Sequence, residues 1–202
     1  RQITFDTTRD LINSKRISLR RSKTLKMLWF GIGDNPYFDV GITDLHSYAN
    51  SLFCISRRCS PVAFTILTNN RALTPKNLSA INRLPIEASI EIWSEEKEAQ
   101  LLKKSDIAFL PVSHQNFSIA KSTNRCLTAL TYGCQVLSSG YSLYSDFSSL
   151  IYESTDDLIK DYGSSSFKFN KDTVAEFEVI CKQSFDCEAV VLEFLKFLNS
   201  SI

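Results

Sequence analysis

The sequence is poor in histidine. It has only two histidines, His46 and His114, and no two of its cysteines form a C-x-x-C pair. A zinc site made from histidine and cysteine is therefore not expected. The cysteines instead have the spacing and apolar surroundings of reduced core residues in a cytoplasmic protein: Cys54, Cys59, Cys126, Cys134, Cys181 and Cys187.

Several other signals are missing. The sequence contains no G-x-S-x-G nucleophile elbow and no P-loop lysine motif. It has no apolar signal segment and no apolar run long enough to span a bilayer, and it begins with Arg1, as expected for an excised or processed piece of a longer chain. Lys and Arg total 23 against 22 acids, so no overall field attracts nucleic acid.

Charge is distributed unevenly along the chain. In residues 1–26, Lys and Arg far outnumber the two acids Asp6 and Asp10. We expect residues 1–24 to form a basic arm that contacts a membrane surface or a neighbouring domain. The alternative is a solvated linker without a partner.

The chain alternates between apolar runs and amphipathic segments. Five runs are predicted to be strands: LKMLWFGIG, VAFTILTN, IEASIEIW, IAFLPV and QVLSSG. Helices are predicted for ITDLHSYANSLFCISR, SEEKEAQLLKKSD, KSTNRCLTALTYG, STDDLIKDYG and two segments between Lys171 and Ile202. RALTPKNLSAINRL is expected to be an interrupted helix or loop, YSLYSDFSSLI a short helix and IYE an edge strand.

This alternation over short connections predicts an α/β fold for residues 25–202. We expect a Rossmann-like three-layer sandwich, with a mostly parallel sheet, helices on both faces and the C-terminal helices packed on it.

The most informative segment runs from Ser105 to Gly140. It is predicted to be a strand, a polar loop, a helix that ends at Gly133 and a second strand. A helix that starts beyond a parallel strand directs unpaired N–H groups at the carboxyl edge of the sheet, which favours an anion there. The residues around this helix start are Lys121, Ser122, Thr123, Asn124 and Arg125. The positive end of the helix dipole repels cations at a helix N-terminus, and a bound anion would offset this repulsion. The alternative is a solvated helix start without a ligand.

The same segment resembles the carboxyl-terminal, donor-binding half of GT-B glycosyltransferases. The resemblance rests on Pro111 at the strand end and on KSTNR, TALTYG and CQVLSSG. The order of the predicted strands and helices resembles that of the family over about residues 25 to 160. It implies that Lys121, Asn124 and Arg125 bind the diphosphate of a nucleotide sugar. Many retaining members have a ribose-binding Glu where this chain has Thr128, so neither the nucleoside nor the stereochemistry follows from the resemblance.

The resemblance also implies what the protein does and needs. It implies transfer of a sugar from an activated donor to a glycan or lipid-linked acceptor, without a metal or other cofactor. An amino-terminal domain outside this chain would bind the acceptor and supply the general base. The place of action would be the cytoplasm or the cytoplasmic face of a membrane.

Two groups of residues beside the predicted phosphate site are further candidates. Gly31 and Gly33 end the first strand, where they either let the backbone approach the phosphates or form a tight turn. Pro36 stands where a dinucleotide fingerprint has its third glycine, which excludes a standard NAD site. Trp93 and Ser94 end the third strand, and Trp93 either stacks on a nucleobase or lies in the core.

The last candidates follow the fourth and fifth strands. His114 is either a ligand contact or an exposed loop histidine, and Ser139, Gly140 and Tyr141 are potential contacts to the sugar or diphosphate. Asp34 and Asp39 are loop acids without a catalytic partner in the sequence, so no catalytic residue is assigned. A rival hypothesis is a non-catalytic Rossmann or flavodoxin-like scaffold.

Overall fold

The computed structural model describes residues 3–38, 40–164 and 166–185. Its centre is a parallel five-stranded sheet in the order β3-β2-β1-β4-β5. The strands are Leu25–Phe30 (β1), Val62–Thr68 (β2), Ala88–Ile92 (β3), Ile107–Phe109 (β4) and Gln135–Leu137 (β5). This order confirms the predicted Rossmann-like fold and differs from the flavodoxin order, 2-1-3-4-5.

Helices cover both faces of the sheet. Within the described residues they are Phe5–Ser22 (α1), Ile42–Ser47 (α2), Ala49–Arg58 (α3), Pro75–Asn82 (α4), Glu95–Lys104 (α5), Asn116–Ile119 (α6), Asn124–Thr131 (α7), Thr155–Ser164 (α8) and Val174–Phe185 (α9). In the described part of the chain, no helix combines the length and apolar character that crossing a bilayer requires.

Alternation along β1 divides the apolar residues into two cores. Met27 and Trp29 belong to a core with residues of α2, α3, α4 and α8. Leu28 and Phe30 belong to a core with residues of α1, α5, α7 and α9. Because successive side chains of a strand point to opposite faces, the continuous apolar run of β1 builds both layers.

The amino-terminal segment is a packed helix rather than a basic arm or linker. Thr4 caps α1 by accepting a hydrogen bond from the Thr7 amide, and Ile12 is 3% exposed. Lys15 is also buried, and its Nζ donates to the Leu102 carbonyl at 2.7 Å. The buried residues of this segment, among them Ile12, lie on one face of the helix between many charged residues. The sequence suggested an arm because the charged residues outnumber them.

The helix predicted for ITDLHSYANSLFCISR is two helices, α2 and α3. They are separated at Tyr48, which has φ −111° and ψ 21°. The Tyr48 hydroxyl donates to the Val112 carbonyl at 2.7 Å, so the break connects this layer to the chain beyond β4.

Other boundaries also differ from the prediction. The segment before α7 contains an extra short helix, α6. YSLYSDFSSLI contains only a 3₁₀ turn, Ser145–Phe147, and IYE contributes a single bridge from Tyr152 to Leu137 rather than a strand. The second helix predicted in the tail lies outside the described residues.

Candidate functional site

A cavity of about 490 Å³ opens at the carboxyl edge of the sheet. It lies where the chain order reverses, between β1 and β4, which is the usual ligand position in open α/β sheets. Residues from four places line it: the end of β1 and its following loop, the start of α2, the first turn of α5, and the chain from β4 through α7. They are Trp29, Phe30, Gly31, Ile32, Asp34, Asn35, Val40, Gly41, Asp44, Glu98, Pro111, Phe117, Lys121, Ser122, Asn124, Arg125 and Thr128.

Arg125 lies in the first turn of α7 and crosses towards the end of β1. Its Nη1 donates to the Phe30 carbonyl at 3.2 Å. Gly31 has φ +154°, and a Cβ there would lie 2.9 Å from Arg125 Nη1. Glycine at position 31 therefore provides the space in which the guanidinium approaches the backbone.

Lys121 lies in the connection between α6 and α7. Its Nζ is 5.1 Å from the centre of the Phe117 ring, a cation–π contact. Desolvation lowers the pKa of Lys121, the Arg125 charge lowers it further, and Asp44 partly offsets both effects. Lys121 is thus a partly desolvated cation beside a second cation, and this arrangement favours an added anion.

The start of α7 adds backbone donors to these cations. Thr123 occupies the N-cap position but its side chain makes no capping hydrogen bond. The amides of the first turn have no acceptor within the helix. Together with the dipole of the helix, they extend the positive end of the cavity.

Two aspartates of the cavity have opposite electrostatic environments. Asp34 accepts from Asn69 Nδ2 at 2.8 Å and from Arg71 Nε at 2.7 Å, and these hydrogen bonds, led by that of Asn69, lower its pKa. Asp44 is 8% exposed, and its Oδ2 accepts from the Gly41 amide at 3.1 Å. Burial raises the pKa of Asp44, while the Gly41 hydrogen bond and the charge of Lys121 oppose this rise.

Six of the predicted site residues line the cavity. They are Gly31, Lys121, Ser122, Asn124, Arg125 and Thr128. Gly33 and Thr123 are close in sequence but do not line it. Gly33 is buried against the end of β2, where a Cβ would collide with Thr68 Oγ1, so it serves the packing of the loop.

Trp93 and Ser94 lie at the end of β3, beside the cavity rather than in its lining. Trp93 is 51% exposed and is not a core residue. Its Nε1 donates to Glu98 Oε2 at 2.6 Å, and Glu98 does line the cavity. Ser94 caps α5 by accepting from the Lys97 amide at 3.1 Å.

The candidates that follow β4 and β5 also lie outside the cavity lining. His114 is exposed and contacts Tyr141 edge to face, with 6.0 Å between ring centres. Gly140, at φ +102°, makes a bridge with Val112. Ser139 is buried, and its Oγ has no hydrogen-bond partner within the part of the chain that the structure describes.

Three carboxylates of the cavity were not among the predicted site residues: Asp34, for which the sequence indicated no role, Asp44 and Glu98. Asp44 and Glu98 each occupy the first turn of a helix that follows the carboxyl end of a strand or its loop. That position was visible in the sequence, because such helix starts gather at one edge of a parallel sheet. Their convergence on the same cavity depends on contacts between distant segments.

Within residues 3–38, 40–164 and 166–185, no group of three or more His, Cys, Asp or Glu side chains is arranged to hold a metal ion. The chain matches no protein-family model, and no curated protein matches it at a significant level of similarity.

Proposed function

We propose that this protein binds a nucleotide sugar in the cavity and is the donor-binding part of a GT-B glycosyltransferase. The observation that carries the proposal is that Lys121 and Arg125 line one cavity at the switch point of a Rossmann-like sheet. A diphosphate is the anion that best suits two cations and the free amides of a helix start.

The dimensions of the cavity are suitable for such a ligand. A volume of about 490 Å³ falls within the range of about 300–1,000 Å³ that small-molecule sites occupy. Its lining combines apolar side chains, among them Val40 and Pro111, with the cations Lys121 and Arg125. This combination suits a ligand that joins a nucleoside to a diphosphate.

The proposed chemistry is electrostatic. When the sugar leaves its donor, negative charge grows on the leaving diphosphate, and Lys121, Arg125 and the α7 dipole stabilise that charge. Arg125 is held on the Phe30 carbonyl beforehand, so little reorganisation is needed. Asp34 does not act as the general base in this proposal, because the hydrogen bonds from Asn69 and Arg71 lower its pKa and make it a weaker base.

The acceptor and the general base are assigned to another domain of the same protein. This assignment follows from the resemblance to GT-B enzymes, in which two domains face each other across the donor.

Binding measurements test the proposal. Calorimetric titration with UDP, GDP, TDP and CMP, followed by their sugar derivatives, is expected to find at least one ligand. Arg125→Met removes a charge-assisted contact of about 1.5–3 kcal/mol and should weaken that ligand about 10- to 150-fold. Arg83→Met removes an exposed cation remote from the cavity lining and serves as the matched control.

The outcomes separate the proposal from its rival. Loss of affinity in Arg125→Met but not in Arg83→Met supports a donor site. Absence of binding by every nucleotide and nucleotide sugar in the panel refutes it and supports a non-catalytic scaffold.

A further inference from the structure

A lysine of α1 is in contact with the cysteine that precedes β5. The Lys15 Nζ lies 3.1 Å from the Cys134 Sγ, although the two residues are 119 positions apart in the chain. Lys15 is only 6% exposed and Cys134 is fully buried. Lysine is almost never buried this deeply unless it is paired, and neither residue is among those that line the cavity. The pair is therefore a second arrangement of reactive groups, separate from the proposed ligand site.

Hydrogen bonds to a shared acceptor fix the two groups against each other. Lys15 Nζ donates to the Leu102 carbonyl at 2.7 Å, and the Cys134 thiol donates to the same oxygen at 3.2 Å. Leu102 is itself fully buried, so water has little access to this point. An amine held against a sulfur atom in this way is positioned to react once the sulfur is oxidised.

The charge of Lys15 favours the reactive form of the thiol. Burial raises the pKa of Cys134, and the charge and hydrogen bond of Lys15 oppose this rise. The thiolate is the form that peroxide oxidises. Burial also raises the pKa of Cys126, but there no lysine opposes the effect within the described residues. The two buried thiols therefore differ in the presence of an amine.

We propose that hydrogen peroxide joins Lys15 and Cys134 through one oxygen atom, in a reversible Nζ–O–Sγ bridge. The Cys134 thiolate attacks the first peroxide and becomes a sulfenic acid, and the hydroxide that leaves takes a proton from the Lys15 ammonium to give water and a neutral amine. A second peroxide converts the sulfenic hydroxyl to a hydroperoxide and releases another water. The amine then attacks the oxygen bound to sulfur, the O–O bond breaks, and the outer oxygen leaves as a third water with a proton from the nitrogen. Sulfur and nitrogen each lose two electrons, and each peroxide accepts two.

The bridge would fix α1 to the chain between α7 and β5. It closes a loop between residues 119 positions apart, which restricts the unfolded chain in the way that a disulfide does. Two molecules of dithiothreitol supply the four electrons that return the thiol, the amine and one water. The bridge therefore stabilises the native protein only under oxidising conditions.

Peptide mass spectrometry of the wild-type protein tests the proposal. The whole chain is treated with hydrogen peroxide under native conditions, then denatured, blocked with iodoacetamide and digested with chymotrypsin, which separates Cys126 from Cys134 at Tyr132. We expect a product that joins the peptides of Lys15 and Cys134, with one oxygen gained and two hydrogens lost, and that dithiothreitol removes. Cys126 is the internal control and should not be linked to a lysine.

Two variants and a stability measurement complete the test. Lys15→Arg keeps the positive charge but lacks the amine, and Cys134→Ser lacks the sulfur, so neither should form the product. Peroxide should raise the urea midpoint of the wild-type protein by about 1–2 M and leave those of the variants unchanged. Circular dichroism establishes that each variant is folded, and the wild-type peptides decide the matter if a variant is not.

Three results would overturn the proposal. One is oxidation of Cys134 to a sulfinic or sulfonic acid without a linked lysine peptide. Another is a linked product without the added oxygen, which would be a direct N–S bond. The third is an unchanged Cys134 at peroxide concentrations that oxidise the partly exposed Cys54 and Cys181.

Discussion

Asp44→Asn is expected to tighten the binding of a nucleotide sugar. The change removes a buried negative charge from the cavity and keeps the shape of the side chain. The amide oxygen of asparagine still accepts the Gly41 hydrogen bond that Asp44 Oδ2 accepts at 3.1 Å, so the start of α2 should not change.

The magnitude follows from the size of the cavity. A round cavity of 490 Å³ is about 10 Å across, so a bound phosphate lies within about 10 Å of the Asp44 carboxylate. With an effective dielectric constant near 20, like unit charges at this distance repel by about 1.7 kcal/mol. Removal of the repulsion should therefore increase affinity about 15-fold at neutral pH.

The pH dependence gives a second measurement of the same effect. Burial raises the pKa of Asp44, so the wild-type carboxyl becomes neutral as the pH falls through that raised value. Wild-type affinity should increase over the same interval, whereas that of Asp44→Asn should stay nearly constant. A nucleotide sugar is the suitable ligand, because its diphosphate diester does not titrate in the neutral and mildly acidic range.

Stability measurements provide the control. A folded-state pKa above the unfolded value means that the native state binds the proton more tightly. The wild-type protein thus loses stability as the pH rises from the unfolded to the folded pKa, and Asp44→Asn does not. If the variant is stable but binds the ligand equally or more weakly, Asp44 positions Lys121 instead of repelling the anion, and the reasoning is wrong.

The remaining predictions concern packing and thiol chemistry. Gly33→Ala should lower the free energy of unfolding by about 1–3 kcal/mol, because the new methyl group collides with Thr68 Oγ1. Gly163→Ala, where a Cβ meets nothing within 4 Å, should raise it by up to about 1 kcal/mol. Equal effects of the two substitutions in urea denaturation would contradict this difference. Burial raises the pKa of the Cys126 and Cys134 thiols, so iodoacetamide should label neither of them in the native protein at mildly alkaline pH. Peptide mass spectrometry identifies the labelled cysteines. Rapid labelling of Cys126 or Cys134 before unfolding would contradict their burial.

The sheet was predictable because its strands are continuous apolar runs. β1 and β4 are buried on both faces, and a glycine or polar loop follows each of them, so periodicity and turn residues locate them without tertiary information. The break at Tyr48 was not predictable, because it accompanies a hydrogen bond to Val112, which is 64 residues away in the chain.

The candidate site likewise contains residues that the sequence predicts and residues that it does not. Lys121 and Arg125 were identified because both belong to one segment that follows a strand, so a local pattern contains them. Glu98 was missed because its approach to the cavity depends on how α5 crosses the sheet to reach β4. Gly140 is close to the Tyr48 hydroxyl and the Val112 carbonyl, where a Cβ would collide with both, and this contact explains its glycine without a ligand.

The two neighbouring residues at the end of β1 link the cavity to the whole domain. Trp29 belongs to the core on one side of the sheet and Phe30 to the core on the other, and both line the cavity. A molecule seated there touches both halves of the interior at their junction. Its binding should slow amide hydrogen exchange in both helical layers together, so occupancy would be detectable far from the ligand itself.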